Sequence, residues 1–475
     1  MECNITMYEA VRRASLEVSK NTAVYYQGTK ISFKKFIKLV DRMADILKYR
    51  LGIEAGDTVL LAEPNIPHVL ILFYALNKLG AVVNLVHPFI PYNQTKNIFE
   101  KTHSKYAFLF EQRVAKEVES YRHFADYVYV CRVEDFLPPL KRFIYHTFMN
   151  KAIRKKLGKY HGSFPGFKYV YKLKPTHKPV EAHQNNSNEV AVMLHSGSTT
   201  GKPKTICLSN DSFNFIGYHA YEFLATSKEN AVGTMMLSVL PSFHGFGLCM
   251  TMHAPLMSCF GSALVPKFSS KAVIDVMNHT KLGSMCGIPG VYEKLLADPK
   301  FLNNKNLKYL HVGFCGGDSM NVSLKERWDK AMKEHGSHCQ VFEGYGLSEA
   351  IAVNCVNTYD HNKLGSIGYP GSGFSFKIID EDEKEVKRGD LGEICVKSQA
   401  TMLHYFEDEE ATKATFTKDG YLKTGDIGYM DEDDFIFFKQ RKKRVVKVSG
   451  VGVFPSEIEN LVETVPGVIS VCAIR

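Results

Sequence analysis

The chain has 475 residues, 45% of them hydrophobic, which is enough for two or more globular domains with sizeable cores. Its eleven cysteines are an odd number, spread from Cys3 to Cys472 without a Cys-x-x-Cys pair. This pattern argues against a disulfide framework or a zinc site and favours a reducing, cytoplasmic setting. Residues 1–10 contain no basic stretch followed by an apolar one, so the sequence predicts no secretory signal.

The net charge of +9 comes from one stretch of the chain. Residues 138–180 contain eleven Lys or Arg, no Asp or Glu, and eight aromatic residues. Cations interleaved with aromatic rings are typical of a surface that contacts an anionic membrane and, less specifically, of a nucleic-acid surface. An ordinary solvated insertion has the same composition. We therefore expect either peripheral membrane contact or a solvated insertion here, and no nucleic-acid partner.

The first 135 residues alternate between helical and strand patterns, which predicts an α/β architecture with parallel strands. The predicted helices are 35–49, 67–79 and 94–102, and the predicted strands are 58–62, 81–86 and 106–110. The basic stretch interrupts this rhythm. We expect it to be an insertion or a linker between two α/β lobes.

The alternation of strand and helix patterns resumes near Glu189 with a predicted buried strand at 190–194. The uncharged stretch 230–266 is long enough to span a bilayer, but Pro241 and Pro255 favour a strand, a loop and a helix instead. Further helices are predicted at 268–279, 291–296 and 322–335, and further strands at 308–312 and 340–342. After about Gly365 a β-rich subdomain is predicted from short strands at 374–379, 392–396, 427–430 and 435–438.

The loop after the strand 190–194 reads Ser196-Gly-Ser-Thr-Thr-Gly-Lys-Pro-Lys204. Its glycines allow close backbone approach, its hydroxyl groups and amides can donate to phosphate oxygens, and its lysines add charge. It is not a Walker loop, because three residues rather than four separate Gly197 from Gly201. On composition alone, a phosphate cradle and a solvated surface turn explain the loop equally well.

Four more motifs follow this loop in chain order, and each is weak when taken singly. They read Pro241-Ser-Phe-His244-Gly-Phe-Gly247, Phe342-Glu-Gly-Tyr345-Gly-Leu-Ser-Glu349, Tyr421-Leu-Lys-Thr-Gly-Asp426, and Arg441-Lys-Lys443 with Lys447-Val-Ser-Gly450.

One of these motifs also permits a hydrolase interpretation. The segment Gly346-Leu-Ser348-Glu-Ala350 approximates the Gly-x-Ser-x-Gly elbow of serine hydrolases, with His361 and His404 as candidate bases. That interpretation leaves the other motifs unexplained.

Together and in this order, the motifs resemble the acyl-adenylate-forming (AMP-binding) superfamily, which includes acyl-CoA synthetases, luciferases and the adenylation domains of peptide synthetases. The resemblance covers residues 5–475, and the segment 342–349 is most similar to fatty acyl-CoA ligases. It implies an α/β fold: a large N-terminal domain of two parallel-sheet α/β lobes plus a β-rich subdomain, then the start of a small α+β C-terminal domain. The implied boundaries are 1–440 for the adenylation domain, with the basic insertion at about 138–180, and 441–475 for a hinge and an incomplete lid domain.

The resemblance also implies roles for individual residues in binding ATP. The phosphate loop would cradle the β- and γ-phosphates through Ser198, Thr199, Thr200, Gly201 and Lys204. Thr199 and Glu349 would hold Mg²⁺, a hard cation that prefers oxygen ligands. Tyr345 would stack on adenine, Asp426 would bind both ribose hydroxyls, and Arg441 would reach the ribose and phosphate. The remaining residues implied in the nucleotide pocket are Gly317, Asp318, Gly344 and Gly346.

Three residues have implied catalytic roles. His244 would gate the acyl pocket, Ser348 would touch the α-phosphate, and Lys443 marks the hinge. A channel for the acyl chain and the thiol is implied at His244, Gly316 and Gly450.

The implied reaction is ATP-dependent activation of a medium- or long-chain fatty acid, or a related carboxylate, to acyl-AMP with release of pyrophosphate. Transfer of the acyl group to coenzyme A follows. The implied cofactors are ATP, Mg²⁺ and coenzyme A.

The sequence departs from the family pattern in two places. Ser198 stands where the family usually has glycine, and its Cβ restricts φ. Only 32 residues follow Lys443 and no lysine follows Lys447, whereas the family's lid of about a hundred residues supplies a catalytic lysine. We therefore expect a truncated chain, and keep a second hypothesis: a protein that binds ATP or acyl-adenylate without full turnover.

Overall fold

A computed structural model describes residues 5–159, 168–169, 174–196, 204–444, 446–448 and 451–453, together with isolated positions beyond 454. These residues form two large sheets with mainly parallel strands and one smaller antiparallel sheet. The predicted fold class is confirmed.

The sheet of the first lobe has eight strands. Six of them are parallel neighbours, and two antiparallel strands, Thr205–Leu208 and His404–Tyr405, close one edge. In order across the sheet, the strands are His404–Tyr405, Thr205–Leu208, Val192–His195, Val82–Leu85, Thr58–Ala62, Ser104–Phe110, Val128–Cys131 and Lys168–Tyr169.

The sheet of the second lobe has nine strands, parallel in its centre and antiparallel at both edges. In order across the sheet, they are Tyr369–Pro370, Cys355–Val356, Gln340–Tyr345, Val312–Cys315, Leu282–Gly287, Met235–Ser238, Gly261–Leu264, Thr22–Tyr26 and Thr29–Ser32.

The predicted β-rich subdomain is an antiparallel sheet of Ser375–Ile379, Gly392–Lys397, Leu422–Met430 and Ile436–Arg441. A two-stranded hairpin, Val446–Val448 with Val451–Val453, follows it.

The helices of the described chain cover the two large sheets. The α-helices are Met7–Glu17, Phe33–Leu51, Pro67–Leu79, Tyr92–Lys101, Glu111–Lys116, Val118–Tyr121, Pro139–Ile144, Lys151–Lys159, Asn210–Tyr218, Ala220–Phe223, Lys228–Ala231, Ala254–Met257, Ser270–His279, Pro289–Leu296, Pro299–Leu302, Val322–Glu334 and Glu409–Thr415. The 3₁₀ turns are Arg122–Tyr127, Val133–Phe136, Leu307–Tyr309, Ser348–Ala350 and Lys442–Arg444, and the π-helical turns are Tyr145–Met149 and Phe246–His253.

The helix Pro67–Leu79 is the most deeply buried of these and has the predicted bounds. All its residues are buried, because it packs against the helices Phe33–Leu51 and Met7–Glu17. Proline at its first position suits a helix start, and Gly80 ends it with a φ of +74°. A Cβ on Gly80 would lie 2.5 Å from the His183 ring, so glycine is needed for space as well.

One prediction about the chain path is wrong. Residues 308–312 form a 3₁₀ turn, Leu307–Tyr309, before the strand Val312–Cys315 begins. Leu307 and Leu310 are both fully buried at a spacing of three, which suits a 3₁₀ turn as well as a short strand.

The basic stretch is predicted to be an insertion or a linker between two lobes, and the strand pairing on either side of it fits the insertion. Lys168–Tyr169 pairs with Val128–Cys131, and the chain then returns to the same sheet at Val192–His195. It is therefore an insertion within the first lobe.

The uncharged stretch 230–266 forms the strand Met235–Ser238, a helical segment from Phe246 to Met257, and the strand Gly261–Leu264, as predicted. Among the described residues, no helix combines the length and the apolar character that crossing a membrane requires.

Candidate functional site

The predicted site residues follow the carboxyl ends of strands from both lobes. Tyr345 ends the strand Gln340–Tyr345, and Gly316, Gly317 and Asp318 follow the neighbouring strand. Ser196 follows the strand Val192–His195 of the first lobe. In open α/β sheets, ligands bind outside the carboxyl ends of the strands.

Asp426 forms the centre of the most complete cluster in this region. Tyr345 donates its phenol hydrogen to Asp426 Oδ2 at 2.5 Å. Arg441 is paired with Asp426 across two antiparallel strands, and its Nε lies 3.0 Å from Asp426 Oδ1. This ion pair lacks the alignment of a hydrogen bond, and the buried Oδ1 has no hydrogen-bond partner among the described residues. The structure thus brings three predicted residues from three motifs together.

Burial and its partners act in opposite directions on the Asp426 carboxyl. Desolvation raises its pKa, whereas Arg441 and the Tyr345 hydroxyl lower it. The pKa of Tyr345 is raised far above its usual range by burial and by the nearby Asp426 charge, so its phenol remains a donor.

A second set of contacts links Lys204 of the phosphate loop, through Tyr405, to the predicted magnesium ligand Glu349. The Tyr405 hydroxyl donates to Glu349 Oε1 at 3.0 Å, and Lys204 Nζ lies 4.2 Å from the centre of the Tyr405 ring. The Met402 amide donates to the Glu349 carbonyl at 2.7 Å. Tyr405 therefore positions a carboxylate and a lysine together.

Sequence analysis did not identify Tyr405. It lies in the segment Met402-Leu-His-Tyr-Phe406, which carries no motif. The contact with Glu349 arises because the strand His404–Tyr405 pairs with Thr205–Leu208, directly after the phosphate loop. Only this long-range pairing could have identified it.

The two ends of the phosphate loop are closed by hydrogen bonds. The Ser196 amide donates to the Lys204 carbonyl at 2.9 Å, and the Lys204 amide donates to Ser196 Oγ at 3.1 Å. Burial lowers the pKa of the preceding His195 to about 4, so this ring is neutral. The predicted residues Ser198, Thr199, Thr200 and Gly201, and the channel residue Gly450, lie outside the described residues.

Glycines let the loops around Glu349 pack backbone against backbone. A Cβ on Gly346 would lie 1.4 Å from the Ala352 carbonyl oxygen, and one on Gly245 would lie 2.0 Å from the Ile351 oxygen. Both distances are impossible, so glycine is required next to Tyr345 and next to His244. The predicted pocket residue Gly344 is less constrained, with Val356 Cγ2 at 3.3 Å from its Cβ position.

His244 lies at the entrance to an apolar region. It is exposed, and its ring contacts the Phe243 ring at a centroid distance of 4.6 Å. Partial burial and the nearby His87 lower the pKa of His244, so the ring is mainly neutral at pH 7. A Cβ on Gly316 would lie 3.1 Å from the Gly344 carbonyl oxygen and 3.2 Å from the Phe246 ring, so glycine allows these groups to pack closely against the backbone here.

The remaining predicted residues are more peripheral. Gly317 has a φ of +79°, which favours glycine, and the exposed Asp318 accepts a hydrogen bond from the Ser319 amide at 2.9 Å. Lys443 lies in the exposed 3₁₀ turn after Arg441.

Ser348 begins a 3₁₀ turn and is half-buried. Within the part of the chain that the structure describes, neither His361 nor His404 is hydrogen bonded to Ser348. His361 stacks on Tyr369 instead, with ring centroids 4.7 Å apart. The hydrolase interpretation therefore has no geometric support.

A different group of buried carboxyls follows the first-lobe strands and belongs to no motif. Glu63 follows Thr58–Ala62, and burial raises its pKa to about 8 against a smaller opposing effect of the Cys131 thiol. Neither Glu63 oxygen has a hydrogen-bond partner of normal geometry among the described residues. Burial raises the pKa of Glu111 to about 7, although Asn150 and the Val133 amide donate to it.

An open cleft of about 940 Å³ lies elsewhere, between the second lobe and the β-rich subdomain. Tyr221, His361, Tyr369 and Arg388 are among its lining residues, and none of the predicted site residues lines it. It is therefore distinct from the candidate site.

The architecture is that of acid–CoA ligases of known structure. The chain superposes on apo MatB from Rhodopseudomonas palustris with a TM-score of 0.79 at 22% identity, over 98% of this chain and 84% of that one. It superposes on the anthranilate CoA ligase AuaEII, in complex with anthranoyl-AMP, with a TM-score of 0.80 at 19% identity, over 99% of this chain and 83% of that one. At these identities the likeness establishes the fold.

Sequence comparison extends this from the fold to the family. A family profile described as AMP-binding enzyme matches residues 11–406, and the chain belongs to this family. The long-chain-fatty-acid–CoA ligase of Bacillus subtilis is 26% identical over 459 residues, covering 96% of this chain and 80% of the relative. That of Salmonella typhimurium is 27% identical over 485 residues, covering 99% and 82%. The predicted resemblance is confirmed, and it supports adenylate-forming acid–CoA ligation with ATP and coenzyme A as substrates.

Proposed function

We propose that this chain activates a medium- or long-chain fatty acid. In this reaction a carboxylate oxygen attacks the α-phosphorus of ATP, and the bond to pyrophosphate breaks. The sulfur of coenzyme A then attacks the acyl carbon, and the bond to AMP breaks. The observation that carries the proposal is the Asp426 cluster, in which three separate motifs meet around one buried carboxylate.

In this proposal the Asp426 cluster binds the nucleoside. The Asp426 oxygen that has no hydrogen-bond partner accepts from a ribose hydroxyl, and Arg441 lowers the pKa of the carboxyl against the larger effect of burial. Tyr345 fixes the orientation of the carboxyl and presents its ring to adenine. The exposed Gly317 and Asp318 complete the edge of the base pocket, and Gly344 and Gly346 keep the loop close to it.

Lys204 and Glu349 act on the phosphate side of the nucleotide. The Glu349 carboxylate, held by the Tyr405 hydroxyl, is the kind of hard oxygen ligand that Mg²⁺ prefers, so the residues present fit this cation. When bound, Mg²⁺ would neutralise charge on the phosphate oxygens. Lys204 would bind the β- and γ-phosphates, together with Ser198, Thr199, Thr200 and Gly201. Ser348 would contact the α-phosphate.

Two observations support a fatty acid as the substrate: the names of the relatives and the aromatic ring beside His244. The Bacillus and Salmonella relatives are named long-chain-fatty-acid–CoA ligases. The neutral His244 ring beside Phe243 suits an apolar chain better than a charged one. Gly316, which packs against the Phe246 ring, would lie on the acyl side of the channel, and Gly450 would lie on the thiol side.

The domain boundaries belong to the same proposal. The adenylation domain would comprise residues 1–440, and the hinge would begin at Arg441 and include Lys443. A second candidate function is binding of ATP or acyl-adenylate without full turnover.

The two functions differ in pyrophosphate release. We expect release with fatty acids of medium and long chains and little with small hydroxylated acids or amino acids. Thioester formation, measured separately by chromatography, reports the transfer to coenzyme A. Release only with small polar acids would overturn the fatty-acid proposal. Thermal stabilisation by ATP without release from any carboxylate would favour the binding function.

A further inference from the structure

A helical run at the edge of the first lobe carries its apolar residues on the outside. The α-helix Pro139–Ile144 continues into the π-helical turn Tyr145–Met149. Its apolar residues recur at i, i+3, i+4 and i+8, the spacing of one helix face. These side chains are exposed by 72% at Leu140, 63% at Phe143, 44% at Ile144, 72% at Phe148 and 69% at Met149.

This clustering is unusual for the molecule. Five of the eighteen exposed large apolar side chains of the described residues lie within these ten positions. Apolar residues scattered singly on a surface need no explanation, but a contiguous stripe marks an interaction surface.

Polar contacts on the opposite face fix the orientation of the run. The Tyr145 hydroxyl donates to Glu111 Oε1 at 3.3 Å, and His146 Nδ1 lies 2.9 Å from Glu134 Oε2. The buried Asn150 side chain donates to Glu111 Oε2 at 3.1 Å. Turning the apolar stripe inward would break these contacts, so the stripe stays outside.

Exposed cations surround the stripe, and no carboxylate balances them in the sequence from 138 to 180. We name the stripe and these cations together the basic–apolar face. The cations are Lys141, Arg142, Lys151, Lys155 and Lys156.

We propose that the basic–apolar face docks on an anionic lipid bilayer. The run of eleven residues, about 16 Å long, would lie in the plane of the interface. Its apolar side chains would enter the boundary between headgroups and acyl chains, while its cations would face headgroup phosphates. A second copy of this chain on the same face would bring two sets of like charges together, which is unfavourable.

Vesicle flotation with the full chain tests this inference. We expect binding to phosphatidylcholine vesicles that contain phosphatidylglycerol, weak binding to phosphatidylcholine alone, and loss of binding as salt is raised. The triple variant Lys151→Gln, Lys155→Gln and Lys156→Gln should bind on the order of 100-fold more weakly. The matched control is Lys300→Gln, Lys305→Gln and Lys308→Gln, which removes three exposed cations from the second lobe.

A fluorescence reporter gives an independent readout. The chain has one tryptophan, Trp328, which is fully buried. Tryptophan introduced by Phe148→Trp should shift its emission to shorter wavelength with anionic vesicles, because the ring leaves water. The pair Phe143→Ser and Phe148→Ser should reduce flotation, whereas Leu364→Ser and Leu391→Ser, also exposed, should not.

Several results would overturn the inference. Equal flotation of the charge variant and its control, or no emission shift at position 148, would do so. The inference would also be overturned if the chain formed a dimer, and if Phe143→Ser and Phe148→Ser dissociated that dimer without changing vesicle binding. Pyrophosphate release without vesicles reports the proposed function separately, and the charge variant should leave it unaltered.

Discussion

Asp426 and Glu63 are equally buried carboxyls in different surroundings. Each is 1% exposed; Glu63 follows the parallel strand Thr58–Ala62, whereas Asp426 lies within the antiparallel strand Leu422–Met430. At Asp426, burial is the largest effect and raises the pKa, but Arg441 and Tyr345 oppose it. At Glu63, no cation or hydrogen-bond donor of normal geometry does so among the described residues, and the pKa rises to about 8.

Neighbouring cations and hydrogen-bond donors, rather than burial, distinguish a carboxylate that can bind a ligand from a carboxyl that stays neutral. A buried acid without a partner stays protonated at pH 7 and contributes no negative charge. A buried acid with a cation and a phenol beside it can ionise and accept a ligand's hydroxyl. Asp426 has the second environment, which agrees with the role proposed for it.

Asp426→Asn should give the largest effect. Removing the charge that accepts ribose hydroxyls should lower kcat/KM for ATP on the order of 100-fold. Pyrophosphate release measured with ATP and with 2′-deoxy-ATP checks this, since the parent should prefer ATP and the variant should not. The exposed Asp433→Asn, in the same subdomain, is the control. A variant that still prefers ATP as strongly as the parent would contradict the ribose assignment.

Glu63→Gln should increase the stability of the folded chain, and the increase should grow as the pH rises. The folded chain keeps this proton up to about pH 8, whereas the unfolded chain releases it near 4.5. The folded state therefore binds more protons between these values, and parent stability falls as pH rises.

The variant lacks this loss, so it should gain on the order of 4 kcal/mol over the parent at pH 8 and almost nothing at pH 4. Thermal melts at several pH values measure the difference. The exposed Glu326→Gln should show no such trend. A constant difference across pH would mean that Glu63 is ionised when folded.

Tyr405→Phe should weaken the response to Mg²⁺ about tenfold, because Glu349 loses one hydrogen-bond donor. The ring over Lys204 is kept, so any change comes from the hydroxyl. Titration of pyrophosphate release with Mg²⁺ measures it as a shift in midpoint with little change at saturation. Tyr359→Phe, which removes a hydroxyl bonded to the His311 carbonyl, serves as control. Matching midpoints for both variants would show that Tyr405 does not position Glu349.

Arg441→Gln should have the smallest effect, because its side chain is 63% exposed and solvent screens its charge. Without this cation the pKa of Asp426 rises further, so the ionised fraction falls first at low pH. The activity of the variant relative to the parent should be roughly a few-fold lower at pH 6 than at pH 8, a modest effect because solvent screens the ion pair. Arg388→Gln, paired with Asp434, should leave the pH profile unchanged. A uniform loss across pH would assign Arg441 to phosphate contact alone.

The sequence predicted those parts of the fold that local pattern determines. The helix Pro67–Leu79 and the strand Thr58–Ala62 have the predicted bounds, because proline, glycine and continuous apolar runs mark their ends. The sequence left the basic stretch open between an insertion and a linker, because a short strand such as Lys168–Tyr169 joins a sheet through pairing that no local pattern reveals.

The residues of the candidate site also fall into those that a local motif predicts and those that depend on long-range contacts. Tyr345, Asp426 and Arg441 could be predicted because each lies in a motif, and the structure brings them into contact. Tyr405 could not, since its role depends on strand pairing with residues two hundred positions earlier in the chain. Glu63 was missed because one acid at a strand end has no signature in sequence.

The two lobes exchange strands, and this has a consequence for how the chain folds. Thr22–Tyr26, near the start, pairs with Gly261–Leu264 of the second lobe, while His404–Tyr405 completes the sheet of the first. Neither sheet can be finished from a contiguous stretch of chain, so folding must wait for distant partners. Such long-range pairing slows folding and exposes unpaired edges during synthesis. We therefore expect the lobes to acquire their final structure together, after residue 405 has left the ribosome.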